Sequence, residues 1–382
     1  MKSSVRRLDE VCMITMGQAP SGDAYNTSGS GWPLIAGAGD FGDGVPVVKK
    51  YTTRSSKLCQ SGDVILGIRA SIGQKVVADR EYCLGRGVAG LRPGSGLSSR
   101  YLWHWLTYME PGLIAKAKGA TFKQVNREDI GELRIALPNL LEQRRIAEVL
   151  DRADALQAKR REALARLDEL TQSIFLAMFG DLGKNPYKWQ SVPLVQLARN
   201  GDTINYGVVQ PGDDCGGGIP LIRVANLSHG AINTFSIKRI SPDVECKYKR
   251  SRLRGDEVLV SCVGSIGEVA LADESVKGFN IARAVARIPL DEGCNRIFVA
   301  HHLMTTFVQD YFTRELRTVA QPTLNIKQLA QTPVPLPPLA LQQEFARRVE
   351  AVERLKVSQR AHLAELDSLF TSLQDRAFSG RL

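Results

Sequence analysis

Two stretches of this 382-residue chain hold no proline and no glycine, although the chain has 17 prolines and 34 glycines. They run from Leu141 to Phe179 and from Leu341 to Phe378. Neither therefore contains a residue that breaks a helix. Other absences exclude whole classes of function. No run approaches the roughly 20 apolar residues needed to cross a bilayer, and the N-terminal MKSSVRRLDEVC has no apolar signal core. A cytoplasmic location is the expectation. The seven cysteines include no CxxC pair, and the five histidines are not spaced near them as zinc ligands would be. Reduced thiols, with no metal and no cofactor, are expected.

Motifs that resemble catalytic signatures lack their contexts. GAGDFG (37–42) satisfies GxGxxG, but DGVPVVKKYTTRS follows where a helix should present its N-terminus to a pyrophosphate. NPYKW (185–189) approaches the base-gripping loop of adenine methyltransferases, yet it lacks the second proline and sits in a turn-rich connection. His301-His302 has no HExxH-like company and reads as a surface or half-buried pair. Asp63 and Asp256 each follow a glycine before a strand, where aspartate commonly bonds its own backbone. No catalytic residue is assigned.

The charged fraction of 24% and apolar fraction of 43% are ordinary for a soluble globular protein. A net charge of +10 favours a polyanionic partner without choosing between DNA, RNA and an acidic protein surface.

The decisive feature is repetition. GDVILGIRASIG (62–73) is answered by GDEVLVSCVGSIG (255–267), and RGVAGLRP (86–93) by RAVARIP (283–289). FKQVNREDIGELRIALPNLLEQRRI (122–146) then lies over QPTLNIKQLAQTPVPLPPLALQQEF (321–345) at a constant offset of 199, with Asn126 on Asn325 and Gln143 on Gln342. The chain is one unit written twice.

The first part of each unit holds short Val/Ile-rich runs with turns between them, among them GDVILGIR, QKVVAD, GVAGLR, EVLVSC, GEVALAD and RAVARIPL. Helices are expected around 98–117 and 296–315. The second part carries apolar residues at spacings of three and four. Ile146, Leu150, Leu156, Leu164, Leu167 and Ile174 mark one stripe, and Phe345, Val349, Val352, Leu355, Leu363, Leu366 and Leu373 the other. Such a helix is roughly 55–60 Å long and needs a partner for its one-sided stripe. The other copy supplies it, antiparallel if the chain builds a domain at the far end and returns.

The expectation is therefore an α+β chain: two mixed α/β domains related by a pseudo-twofold, at opposite ends of two long antiparallel coiled-coil helices. The boundaries read as a first domain over 1–138, a helix over 139–179 and a linker over 180–190. A second domain over 191–338 and a helix and tail over 339–382 complete the chain.

Basic residues cluster in both globular parts: Lys49, Lys50, Arg54, Lys57, Arg69, Lys75 and Arg80 in the first; Arg223, Lys238, Arg239, Lys247, Lys249, Arg250, Arg252 and Arg254 in the second. Tyrosine, asparagine and glutamine are interleaved with them, as suits phosphate contact and base reading. These fifteen are the candidate DNA-binding residues. Residues 20–60 and 205–250 share almost nothing, so the two recognition surfaces are unlike.

The combination resembles the DNA-specificity subunit of type I restriction-modification enzymes over nearly the whole chain. The glycine-aspartate to Ser-Ile-Gly units carry the resemblance, with the segments after Thr121 and Thr323, SIFLAMFGDLGKNPYKW (173–189) and the terminal SLQDRAFSGRL. Two departures are visible: RIALPNLL lacks a second proline, and Leu341 replaces the Glu142 of the first copy.

The resemblance implies that each globular part is a target-recognition domain for one half of a split duplex-DNA site. The helices would be the ruler between the halves. They would also dock two methyltransferase subunits, which bind S-adenosylmethionine, and up to two ATP-dependent restriction subunits would join. This chain would itself be non-catalytic. A methylation-only defence system is compatible with the same residues. A scaffold holding acidic proteins at a fixed spacing is the competing class, and an enzyme the third.

Overall fold

The computed structural model describes residues 4–119, 123–228, 230–318, 322–379 and 381. Two compact units emerge: Met1–Glu162 with Arg360–Leu382, and Ala163–Gln359.

In the first unit the apolar run Val64–Gly67 is buried at every position and lies between Val88–Pro93 and Lys75–Val77. Cys12–Met16 completes this antiparallel four-stranded sheet. A second sheet places Trp32–Ile35 parallel to Tyr82–Leu84. The helix Ser99–Lys116 covers the first sheet and buries Tyr101, Leu102, Trp105 and Leu106 in its core.

The second unit repeats the plan. Val258–Ser261 lies between Val285–Ile288 and Val269–Leu271, with Asn205–Tyr206 at the edge. Ile219–Ile222 runs parallel to Asn280–Ile281. All six apolar runs expected as strands are strands. The helix expected over 296–315 is two, Arg296–Leu303 and Thr306–Glu315. Thr305 causes the break: its hydroxyl donates to the His302 carbonyl at 2.7 Å, and its backbone is extended. It is the N-cap of a new helix.

The repeated Ser-Ile-Gly turn has a steric explanation. Gly73 and Gly267 have φ of 94° and 88°, where a side chain is strained. A Cβ would also collide with the Glu110 side chain in one copy and the Gln309 side chain in the other. Gln309 Nε2 donates to the Gly267 carbonyl at 3.1 Å, which fixes the turn against the helix.

The proline- and glycine-free stretches form single helices, Leu140–Phe179 and Leu339–Phe378. In the second unit their packing is antiparallel. The Phe179 ring lies 5.4 Å from that of Phe345, and moving back to Asp168 on one helix means moving forward to Lys356 on the other, 2.8 Å away. In the first unit Gln157 Nε2 donates to Asp367 Oδ1 at 2.8 Å, and Ile146, Leu150 and Ala153 share a core with Phe370, Ala377 and Phe378.

One expectation about the stripe is corrected. Leu156 and Leu355 are 50% and 54% exposed, while the neighbouring Gln157 and Lys356 are buried. A heptad seam steps by four after Ala153 and Val352, so it arrives at the polar residue and leaves the leucine on the flank. Ile146, Leu150, Phe345, Val349 and Val352 are buried, and Leu164, Leu167, Ile174, Leu363, Leu366 and Leu373 are half-buried.

Each helix is anchored by the glutamine that the repeat aligned. Gln143 accepts from the Ser98 amide at 2.8 Å and donates to the Gly96 and Pro138 carbonyls, both at 2.9 Å. Gln342 accepts from the Asn295 amide at 2.9 Å and donates to the Pro337 carbonyl at 2.8 Å.

Candidate nucleic-acid interface

The fifteen basic candidates separate by what their side chains already hold. In the first unit Lys49, Lys50, Arg54 and Lys57 are exposed on and beside the strand Lys50–Thr52. Lys49 donates to the Gly39 carbonyl, and Arg54 lies 3.3 Å from Asp23 in a largely exposed pair. Arg80 lies over the Tyr82 ring at 5.5 Å. Arg69 lines a cleft of about 820 Å³ with Arg86, Lys123 and the glycine-rich loop Gly37–Gly39.

Lys75 leaves the set. Its ammonium donates to Thr107 Oγ1 at 2.7 Å and lies 4.8 Å from the centre of the Trp103 ring. Burial pulls its pKa down to about 8. The strand alternation turns it toward the covering helix, where its alkyl stem packs and its charge is satisfied internally.

In the second unit the run 238–254 is not one patch. Arg252 pairs with buried Glu245 through contacts of 2.8 and 2.5 Å, and this hydrogen-bonded guanidinium holds the Glu245 carboxyl below its ordinary range. Arg254 lies 3.5 Å from Asp202. Lys238 donates to the Gly212 carbonyl at 2.5 Å and Arg239 to the Gly218 carbonyl at 2.9 Å, tying down the loop between them. Lys247, Lys249 and Arg250 are exposed on the turn Cys246–Ser251, and among the described residues none has a carboxylate within 4.0 Å. Arg223 is likewise exposed and unpaired among them. Those four, with Lys50, Lys57 and Arg69, have charge to offer an external anion.

The residues that looked like chemistry are consumed by structure. Asp63 accepts from the Gln60 amide at 2.8 Å and takes both arms of Arg92 at 2.9 and 2.8 Å. Its counterpart is Glu257, not Asp256. Glu257 accepts from the Arg254 and Gly255 amides at 2.9 and 3.0 Å and from Arg287 at 3.1 Å, because the second copy has one extra residue before its strand. Asp256 instead pairs with Arg199 at 2.5 Å.

His302 is not at the surface. It is fully buried, and its Nε2 donates to the Pro333 carbonyl at 2.9 Å while Nδ1 has no partner among the described residues. Desolvation drives its pKa down to about 4. GAGDFG forms a single tight turn over Ala38–Asp40, in which Asp40 accepts from the Ala36 amide at 2.8 Å. Among the described residues no group of three or more His, Cys, Asp or Glu is arranged to hold a metal, and no helix is long and apolar enough to cross a membrane.

A model of the type I restriction modification DNA specificity domain matches residues 2–166 and again 186–366. The chain belongs to this family. Its similarity to the type I restriction enzyme EcoBI specificity subunit of Escherichia coli is 28% identity, covering 98% of this chain and 85% of that one. A putative type I restriction enzyme MjaX specificity subunit of Methanocaldococcus jannaschii is 33% identical over 39% of this chain and 36% of its own length. The fold matches that of a type I restriction-modification S subunit from M. genitalium, with TM-score 0.55 at 16% identity over 99% of this chain and 96% of that one. A chain from a structure bearing on complex assembly and conformational transition of the type I R-M system matches with TM-score 0.58 at 20% identity, over 100% of this chain and 98% of that one.

This specificity subunit is thus a non-catalytic DNA reader of a type I restriction-modification system. Arg86, Arg283 and Lys123, which lie outside the fifteen candidates, are also exposed. A signal for the first two was present, since they open the aligned segments RGVAGLRP and RAVARIP.

Proposed function

We propose that each unit reads one half of a split duplex-DNA target, and that the paired helices set the gap between the halves. The observation that carries this reading is the duplication itself. The segment from Phe122 and the long helices after it keep their register at an offset of 199, while residues 20–60 and 205–250 differ almost throughout. Two alike frames with unlike surfaces suit two different half-sites. Phosphate contact by the exposed Lys247, Lys249, Arg250, Lys50 and Lys57 supplies affinity without sequence preference.

The helices also dock two methyltransferase subunits, and up to two restriction subunits join that core. Leu156 and Leu355 are equivalent by the repeat, as are Leu170 and Leu369, and all four are between 43% and 54% exposed. An apolar flank repeated in this way suits two copies of one partner. Methylome sequencing of the host with and without this gene tests the function. A bipartite adenine motif that disappears with the gene is the expected result; an unchanged methylome overturns it.

A further inference from the structure

Backbone pairing aligns the two units at places where sequence alignment is silent. Ile35 ends the strand parallel to Tyr82–Leu84, and its carbonyl accepts from the Gly85 amide at 2.8 Å. Ile222 ends the strand parallel to Asn280–Ile281, and its carbonyl accepts from the Ala282 amide at 2.9 Å. The following residues, Ala36 and Arg223, are therefore equivalent. Each is clamped in the same manner: Asp40 accepts from the Ala36 amide at 2.8 Å, and the buried Asn226 from the Arg223 amide at 2.9 Å.

The same pairing makes Arg86 equivalent to Arg283. Both are exposed, both directly precede the chain that enters a central strand, and among the described residues neither has a carboxylate within 4.0 Å. In the first unit Ala36 and Arg86 line one cleft of about 820 Å³, and the Ala36 carbonyl accepts from the Gly87 amide beside Arg86.

We propose that this notch, where the two parallel strands end, is the base-reading point of each unit: Arg86 and Arg283 are a shared phosphate anchor, and the diverged position 36/223 reads sequence. The inference rests on the DNA-reading function proposed above. Arg223 is a guanidinium whose amide is held by Asn226 and which has no carboxylate within 4.0 Å among the described residues, which suits bidentate recognition of guanine in the major groove. Ala36, in a glycine-rich loop, has no hydrogen-bonding side chain. It leaves an open cleft that admits a base edge or a thymine methyl group to close backbone contact. The anchors give affinity and carry no sequence information.

The test is selection from a randomised duplex library by the full-length chain, run for wild type, Arg223→Ala, Arg223→Gln, Arg86→Ala and Arg283→Ala. Wild type selects two half-sites. Arg223→Ala relaxes one base position in one half-site by about ten-fold and leaves the other half-site unchanged. Arg223→Gln shifts that position from guanine toward adenine. The two anchor variants keep both half-sites, bind all duplexes more weakly and lower the salt slope by about one each.

If Arg223→Ala and Arg223→Gln both select the wild-type motif at the wild-type stringency, position 223 is not a reader. Unchanged affinity and salt slope for Arg86→Ala and Arg283→Ala remove the anchor. A wild-type chain that selects no sequence overturns the DNA-reading function itself, a result distinct from either.

Discussion

Lys356 Nζ lies 2.8 Å from Asp168 Oδ1, at the place in the second unit where the first has Gln157 Nε2 2.8 Å from Asp367 Oδ1. The two contacts are equivalent by the repeat, and both bury a polar side chain on the long helices. Burial works against the charge of Lys356, but hydrogen bonds to Asp168 and Glu353 outweigh it and hold its pKa above the ordinary lysine value. Removing Asp168 leaves a buried ammonium with Glu353 alone. Asp168→Asn should destabilise the chain by about 1 kcal/mol in urea titration, whereas Lys356→Leu should equal or exceed wild type.

The displaced seam predicts unequal leucines. Leu150→Ala removes a fully buried side chain and should cost about 2–5 kcal/mol. Leu156→Ala, half exposed, should change stability by no more than about 0.5 kcal/mol. Equal losses in thermal unfolding would return Leu156 to the seam.

Gln342 is 1% exposed and joins the start of its helix to the Asn295 amide and the Pro337 carbonyl. Gln342→Leu leaves both groups buried and unsatisfied, at a cost of about 2–3 kcal/mol. Gln143→Leu should act the same way on the first unit, read as lost hydrogen-exchange protection around Ser98.

Stability should fall in mild acid through His302. Its pKa is about 4 in the folded chain against an ordinary 6.5, so the fold keeps it neutral. The contribution is present above about pH 6.5 and is lost as pH falls toward 4, reaching about 3 kcal/mol. His302→Gln, which retains a donor for the Pro333 carbonyl, should flatten urea midpoints between pH 7 and 4.5 relative to wild type.

Neutralising Lys247, Lys249 and Arg250 together should weaken binding to every duplex alike and reduce the salt slope by up to about three. A changed half-site sequence in that variant would make the turn a reader rather than a phosphate contact.

Much of the fold was legible because periodicity is local. The strand Val258–Ser261 announces itself by an apolar run between turn formers, and Leu140–Phe179 by the absence of any breaker. Duplication added what one copy cannot supply, a partner for each one-sided stripe. The site was less legible, because charge in a sequence does not say where charge is spent. Lys75 and Arg252 read like Lys247, yet Trp103 and Thr107 take up the first and Glu245 the second.

By itself the sequence determined the duplication, the helices and the strand runs, since each is set by residue spacing along the chain. Only the tertiary structure decided that Gln157 rather than Leu156 faces the seam, that Glu257 rather than Asp256 answers Asp63, and that Ala36 and Arg223 are equivalent. Each depends on which backbone groups meet across long sequence separations. Spacing along one strand or helix carries no record of that choice.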